Sequence, residues 1–262
     1  MNENLSSPAT SARDGAILSG RAKQVAELVA RGYSNRDIAT ELNLSGQSVK
    51  NVIHSLFNKL GVWNRVEFAN RLKVAGSAED ERQAQIRIEE QRLAELRRLN
   101  ILDTRAESIF DELTALAAKI FDVPIAQIVL VDSNRVWFKS NFGLEASECP
   151  REITICHHTI QQSKVFVVSN AIEDERFNCS PLITENAKVR FYAAAPILTS
   201  DGYALGVVCI VDRKPREFTE DQLTVLESLA HLALQQMELH RELQEAQAAN
   251  QDGVSRADSH RE

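Results

Sequence analysis

Residues 44–61 read LSGQSVKNVIHSLFNKLG. Val49, Val52, Ile53, Leu56, Phe57 and Leu60 recur at three- and four-residue spacing, which lays one apolar stripe along a helix. Ser45 can cap its start, and Gly61 can take the left-handed conformation that stops it. Gln47, Lys50, Asn51, His54 and Asn58 repeat at three, four and seven on the opposite face, so amide, ammonium and imidazole groups project together. Asn and Gln pair bidentately with adenine and Lys with guanine acceptors, so this edge can read bases. The solvated face of any amphipathic helix offers a similar pattern, and the surrounding sequence has to decide between the two.

Outward from this helix, Gly32, Asn43-Leu44 and Gly61 break residues 18–72 into four short helices. The first places Val25, Leu28 and Val29 on one side. The second opens with Ser34 three residues before Asp37, a capping-box pattern, and buries Ile38 and Leu42. The expected unit is an all-α, tetrahelical helix-turn-helix domain over residues 18–74, preceded by a disordered N-terminus over 1–17. Charge favours nucleic acid over a merely solvated face. The 262-residue chain carries a net −7, yet Leu18 to Lys73 holds nine Lys and Arg against four Asp and Glu, while the remainder to Glu262 holds twenty against thirty-one. A positive module inside an acidic chain is an electrostatic footprint for phosphates, with Arg36, Lys59 and Arg65 placed to hold them.

Residues 75–102 read as a linker helix, rich in Glu, Arg and Gln, with a thin apolar line of Ile86, Leu93, Leu96 and Leu99 that needs a partner. An α+β region follows over 103–244. A helix from Glu107 to Phe121 carries Ile109, Leu113, Leu116 and Ile120 on one side. Strands at Ile125–Val131 and Val136–Asn141 flank the turn Asp132-Ser133-Asn134-Arg135, Val165–Val168 is a third, and Phe191–Leu198 pairs with Ala204–Val211 across Thr199-Ser200-Asp201-Gly202. A last helix starts at Thr219, boxed with Gln222, and runs to about Gln244. Its seam of Leu223, Leu226, Ala230, Ala233, Met237 and His240 suits a coiled coil, a bundle or its own sheet. Residues 245–262 are expected to form a disordered tail.

The stretch LSGRAKQVAELVARGYSNRDIATELNLSGQSVKNVIHSLFNKLGV resembles the LuxR/FixJ-type helix-turn-helix, whose usual C-terminal position is inverted here. The resemblance implies that Ser45 to Leu60 is the recognition helix, with Lys50, Asn51 and His54 at DNA and Ser45, Gln47 and Ser48 beside them. Residues 96–240 resemble a GAF domain, on LNILDTRAESIFDELTALAAKIFDVPIAQIVLVD, VWFKSNFGL, ITICHHTI and VRFYAAAPILTSDGYALGVVCIVDRKPREFTEDQ. GAF domains bind cyclic nucleotides, tetrapyrroles, haem or metabolites, and some bind nothing, so the effector is unknown. Trp137, Cys156, His157, Arg190 and Tyr192 are the candidate ligand-binding residues, although strand alternation sends Phe191 to the face opposite Arg190 and Tyr192.

Cys156-His157-His158 offers thiolate and imidazole, but sequence-neighbouring histidines point apart on a helix, and packing accounts for the motif as well as metal or nucleophilic chemistry does. Cys179 lies near where bilin-binding relatives place their attachment cysteine, yet Ser180 follows it in place of the usual His; neither bilin nor haem is expected. Cys149, Cys156, Cys179 and Cys209 show no metal-finger spacing, and reduced thiols are expected. No metal site, catalytic residue set, membrane span or secretory leader is expected, which reads as a cytoplasmic non-enzyme. The expected protein is a homodimeric, sequence-specific transcriptional regulator on a near-palindromic double-stranded DNA site, its GAF-like domain sensing a small molecule, dimerising, or both. A ligand-free dimerisation or partner-docking scaffold is the alternative, and an enzyme with Cys156 as nucleophile a third.

Overall fold

The computed structural model describes residues 20–72, 78–184 and 188–258, with side chains as far as Ala248. The expected disorder of residues 1–17 lies outside the described residues. The chain divides into two compact units, with one boundary inside a helix between Gln91 and Arg92 and the short segment Ser200–Tyr203 grouped with the first unit.

The first unit contains α1 (Gly20–Ala30), α2 (Asn35–Glu41), α3 (Gly46–Leu60) and α4 (Arg65–Leu72), followed by the start of α5 (Ala78–Arg98). Its core joins Val25 and Val29 of α1, Ile38 of α2, Val49, Ile53, Leu56 and Phe57 of α3, and Phe68 of α4; Leu28, Leu42 and Val52 flank it, partly buried. The start signals act as their spacing predicts. Ser34 accepts from the Asp37 backbone while the Asp37 carboxylate accepts from the Ser34 backbone, so two otherwise unpaired donors at the start of α2 are satisfied. Ser45 caps α3 through the Ser48 amide, and Gly61 ends it at φ +64°. Gly32 also lies in left-handed space, at φ +81°, and a Cβ there would stand 2.7 Å from the Ala84 carbonyl oxygen and 2.8 Å from Arg87 Cβ. Glycine is therefore required twice over where the α1–α2 turn meets α5. Beside it, the Arg87 guanidinium stacks 5.3 Å from the centre of the Tyr33 ring.

The apolar line anticipated on the linker helix is kept at Leu96 and Leu99 and displaced before them. Ile86 is exposed, and the buried series is Ala84, Ile88, Arg92, Leu96 and Leu99. The run 84, 88, 92, 96 follows the four-residue ridge of a helix, and Arg92 fits into it because its Nη1 donates to the Val131 carbonyl oxygen at 2.7 Å.

The second unit is built on a six-stranded antiparallel sheet, in the order β3-β2-β1-β6-β5-β4. Its strands are β1 (Ile125–Val131), β2 (Arg135–Phe142), β3 (Glu148–Pro150), β4 (Phe166–Val168), β5 (Phe191–Leu198) and β6 (Ala204–Asp212). The two expected hairpins and the short third strand are present. The edge strand β3, three residues ending in proline, offers no periodicity to read. On one face α6 (Ser108–Phe121) packs over β1 and β2, and α9 (Glu220–Asp258) over β5 and β6, with the two helices in mutual contact. The other face carries a 3-10 turn at Arg151–Ile153, α7 (Cys156–Thr159), α8 (Pro181–Thr184) and the loops between them. The cluster there joins Ile125, Val129, Val136, Tyr192, Val207 and Cys209 of the sheet to Ile155, Cys156, Ile160 and Phe177 above it.

Two helical expectations change. On α6 the buried face is Phe110, Thr114, Ala117, Ala118 and Phe121, while Ile109, Leu116 and Ile120 are exposed. Both faces of α6 are apolar, so periodicity does not tell which one meets the sheet. On α9 the seam of Leu226, Ala230, Ala233 and Met237 is buried in its own domain, and Val225, Leu232, Leu239 and Leu243 are exposed. The Thr219–Gln222 box is present. The helix, however, runs past Gln244 to Asp258 where a disordered tail is expected. The stretch EAQAANQ over residues 245–251 is rich in good helix formers that need no apolar stripe to continue an existing helix.

Candidate nucleic-acid interface and sensor-domain face

Burial of Val49, Ile53, Leu56 and Phe57 turns the opposite edge of α3 outward. Ser45, Gln47, Asn51, His54, Asn58 and Lys59 are exposed, and Ser48 and Lys50 are half-buried. Gln47 Nε2 donates to Asn51 Oδ1 at 2.9 Å, so the two amides lie together one turn apart. The His54 ring sits 5.6 Å from that of Trp63, which covers one side of the imidazole. Arg36 on α2 and Lys59 at the end of α3 are both exposed. A helix bearing this row of donors and acceptors, with basic side chains nearby, presents to base edges and phosphates what each requires.

Arg65 departs from the expected phosphate contact. It is fully buried, and its guanidinium donates to the Tyr33 carbonyl oxygen at 2.8 Å and to Asn35 Oδ1. Its position at the head of α4 turns the side chain inward, where it ties α4 to the α1–α2 turn. Sequence spacing alone does not distinguish such an arginine from one that faces solvent.

The five candidate ligand residues of the second unit do not form one site. Cys156 and Tyr192 meet, with the Tyr192 hydroxyl donating to Cys156 Sγ at 3.4 Å and lying 3.1 Å from Thr159 Oγ1. Trp137 lies on the helix-covered face instead, with Lys139 Nζ 5.9 Å from the centre of its ring. The cause is strand alternation, since Val136 takes the other side. A β-bulge follows in β2, because Phe138 pairs with Val129 while Ser140 pairs with Ile128. Lys139 and Ser140 therefore both face α6, where Lys139 Nζ meets Glu107 at 2.5 Å and Ser140 Oγ meets Asp111 Oδ1 at 2.6 Å. This buried polar set is absent from the sequence reading, and a Lys directly after the apolar run Val136–Phe138 is the signal that could have found it.

Arg190 precedes β5, and its Nη1 donates to the carbonyl oxygens of Ile183 and Val189. His157 accepts from Arg151 Nε at 3.0 Å. The rings of His157 and His158 do not point apart as helix geometry suggests: they lie edge to face, centres 5.5 Å apart, and His158 continues onto Phe177 at 5.1 Å. Burial and the nearby Arg176 hold the His158 imidazole below its ordinary pKa. Among the described residues no group of His, Cys, Asp and Glu is arranged to hold a metal ion, and no helix is long and apolar enough to cross a membrane.

Comparison with known proteins also finds two domains in the chain. Residues 16–72 match the model described as bacterial regulatory proteins, luxR family, and residues 105–237 match the GAF domain model. Over 59 residues the chain is 42% identical to the transcriptional regulatory protein DesR of Bacillus subtilis, a match covering 22% of this chain and 30% of that protein. Over 147 residues it is 36% identical to the cyclic di-GMP phosphodiesterase PA2567 of Pseudomonas aeruginosa, covering 56% of this chain and 25% of that one. The chain thus spans a third or less of the curated relatives it matches. Similar solved structures include the GAF domain of an Acinetobacter phosphoenolpyruvate-protein phosphotransferase, with 18% identity, TM-score 0.43, and coverage of 61% of this chain and 98% of that one. Another is the free methionine-R-sulfoxide reductase of Neisseria meningitidis, with 18% identity, TM-score 0.44, and coverage of 65% and 95%.

Proposed function

The chain belongs to the GAF domain family and carries a luxR-type helix-turn-helix ahead of that domain, and from this premise we propose that it is a homodimeric, sequence-specific transcriptional regulator. The observation that carries this reading is α3: a capped helix whose buried stripe turns Gln47, Asn51 and His54 outward in one row, with Lys50 beside them. Lys50 and Asn51 read base edges, Ser45, Gln47, Ser48 and His54 support or extend that contact, and Arg36 and Lys59 hold phosphates. Arg65 is not part of the phosphate set.

Dimerisation in this reading runs through the second unit. Ile109, Leu116 and Ile120 of α6 and Leu232, Leu239 and Leu243 of α9 leave an exposed apolar face on two helices already in contact. A second copy would bury that face in a helical bundle, and a two-fold pair would present two α3 helices to two half-sites. The phosphodiesterase activity named for the Pseudomonas protein is not carried over, because the match spans a quarter of that protein.

Two roles remain for the sheet face under α7. Sensing of a small molecule is favoured by the polar groups of Tyr192, Thr159 and Cys156 in an otherwise apolar cluster. A ligand-free scaffold is favoured by Ile155, Ile160, Phe166 and Phe177, which already pack against that cluster. A native mass spectrum with an absorption spectrum of protein purified from its own host tests both: a dimer with extra mass supports sensing, a dimer at the bare chain mass supports the scaffold, and a monomer removes the dimeric mechanism.

A further inference from the structure

Within the apolar cluster beneath α7 runs one chain of hydrogen-bonding groups. Thr159 Oγ1 lies 3.1 Å from the Tyr192 hydroxyl, which donates to Cys156 Sγ at 3.4 Å. Cys209, on the central strand β6, donates to Gln127 Oε1 at 3.6 Å and shares the buried cluster with Cys156, each thiol acting on the other's ionisation. Gln127 Nε2 is engaged in turn by Asn141 Oδ1 at 3.1 Å. Two buried thiols on different elements, one from α7 and one from β6, therefore interact within one apolar cluster.

We propose that Cys156 and Cys209 form a reversible dithiol–disulfide pair, a redox modification site in the sensor domain. Packing does not require the pair, since each thiol fills the space of a small apolar side chain. The chemistry needs a thiolate to begin and a second thiol to finish. Donation from Cys209, supported by Tyr192, holds Cys156 below the ordinary thiol value against the opposing effect of burial, while Cys209, whose proton is shared with Cys156, is pushed well up. Cys156, whose sulfur accepts from the Tyr192 hydroxyl, is thus the attacking sulfur, and Cys209, which donates to Gln127, the resolving one. With hydrogen peroxide as oxidant, the Cys156 thiolate attacks a peroxide oxygen, the O–O bond breaks, and protonation of the departing hydroxide gives Cys156–SOH and water. The Cys209 thiol then attacks the sulfenic sulfur; the S–O bond breaks, a second water leaves, and the S–S bond tethers α7 to β6. Cys149 belongs to the same cluster only as a partly buried neighbour, and burial pushes its thiol up to about 11, which makes it the poorer nucleophile.

Chain proximity favours a different product. Cys149 and Cys156 are close in sequence, so an unfolded chain closes that short loop before it joins Cys156 to distant Cys209. The test uses the full-length chain carrying Cys179→Ser, which removes the exposed thiol and with it disulfides between molecules. The reduced protein is treated with hydrogen peroxide, folded or in denaturant; remaining thiols are blocked with N-ethylmaleimide, and intact and tryptic masses are read. In the folded protein two of three thiols should disappear together, the mass should fall by two hydrogens, and peptide 152–164 should be linked to peptide 191–213. Dithiothreitol should restore all three thiols, and in denaturant the link should shift toward Cys149. With Cys209→Ala also present, the link should be lost and dimedone should trap Cys156. Three surviving thiols, a native link through Cys149, oxidation of Cys156 that leaves Cys209 free, or the same Cys156–Cys209 link in denaturant would each overturn the proposal.

Discussion

Gln47 donates a hydrogen bond from Nε2 to Oδ1 of Asn51, 2.9 Å away and one turn along α3. The bond fixes which edge of each amide points outward: Asn51 keeps its NH2 donors free, and Gln47 keeps its acceptor oxygen. Lys50→Ala or Asn51→Ala should cost about 1–3 kcal/mol on the preferred DNA sequence and relax preference at one base position. Gln47→Ala should be non-additive with Asn51→Ala, since each removes the partner of the other. Fluorescence anisotropy on matched and mismatched duplexes checks both, and additive effects would show that the pair is not a unit.

Lys59 stands at the exposed end of α3. Lys59→Ala should weaken matched and mismatched duplexes alike and lower the slope of log affinity against log salt by about one, because one phosphate contact releases about one counterion. Arg65→Ala should behave differently, lowering the folding stability of the domain, because its donors end on Tyr33, Asn35 and the Asp201 carbonyl oxygen.

Gly32 and Gly61 share the left-handed conformation and differ in their surroundings. A Cβ on Gly61 meets nothing within 4 Å, whereas one on Gly32 runs into Ala84 and Arg87. Gly61→Ala should cost about 1–2 kcal/mol, the price of left-handed backbone for an L side chain. Gly32→Ala should cost more than that, because α5 must also move. Urea denaturation of the two variants checks the ranking, and equal losses would contradict the contact with α5.

Lys139 is buried and paired with Glu107, which His240 also contacts at 3.1 Å. Burial pushes the Glu107 carboxyl up, but hydrogen bonding and charge from Lys139, with a smaller contribution from His240, more than offset it and leave the group below its ordinary value. A carboxyl that ionises more readily when folded adds stability above its unfolded value and loses that stability as pH falls through the folded one. Thermal stability should therefore decline below the ordinary carboxylate range. Glu107→Gln should flatten that decline and cost about 1.5–3 kcal/mol at neutral pH, the usual worth of a hydrogen bond to a charged group.

Leu116 and Leu232 are 47% and 42% exposed on adjacent helices. If a second copy covers them, Leu116→Glu or Leu232→Glu should move the protein from dimer to monomer at micromolar concentration without unfolding it, because a charge is left in the apolar contact. Light scattering after size exclusion, alongside circular dichroism, reads this out. Dimers unchanged by both substitutions would place the contact elsewhere.

Where the sequence was legible, a local signal and a packing requirement agreed. Ser34, Ser45 and Gly61 mark helix ends through their own hydrogen bonds or backbone freedom, and strands β1, β2, β5 and β6 show dense β-branched and apolar runs between turn residues. Legibility failed where two faces looked alike. Helix α6 is apolar on both sides, α5 carries Ile86 and Ile88 two residues apart, and only tertiary packing decides which is buried. Arg65 and Trp137 were misplaced for a related reason: a side chain's direction depends on what surrounds it, and for the strand residue on which face of the sheet the helices cover. The Cys156–Cys209 contact joins α7 to a strand far away in sequence, so no local pattern announces it.

The central claim is that α3 reads a DNA sequence as part of a symmetric pair. The most direct test is selection of bound duplexes from a randomised library with the full-length protein, repeated with Asn51→Ala. The account predicts enrichment of two inverted half-sites with centres roughly one helical turn, about 10 base pairs, or a multiple of it apart, and loss of that preference in the variant. Recovery of unenriched sequences by the unsubstituted protein at low salt would contradict it.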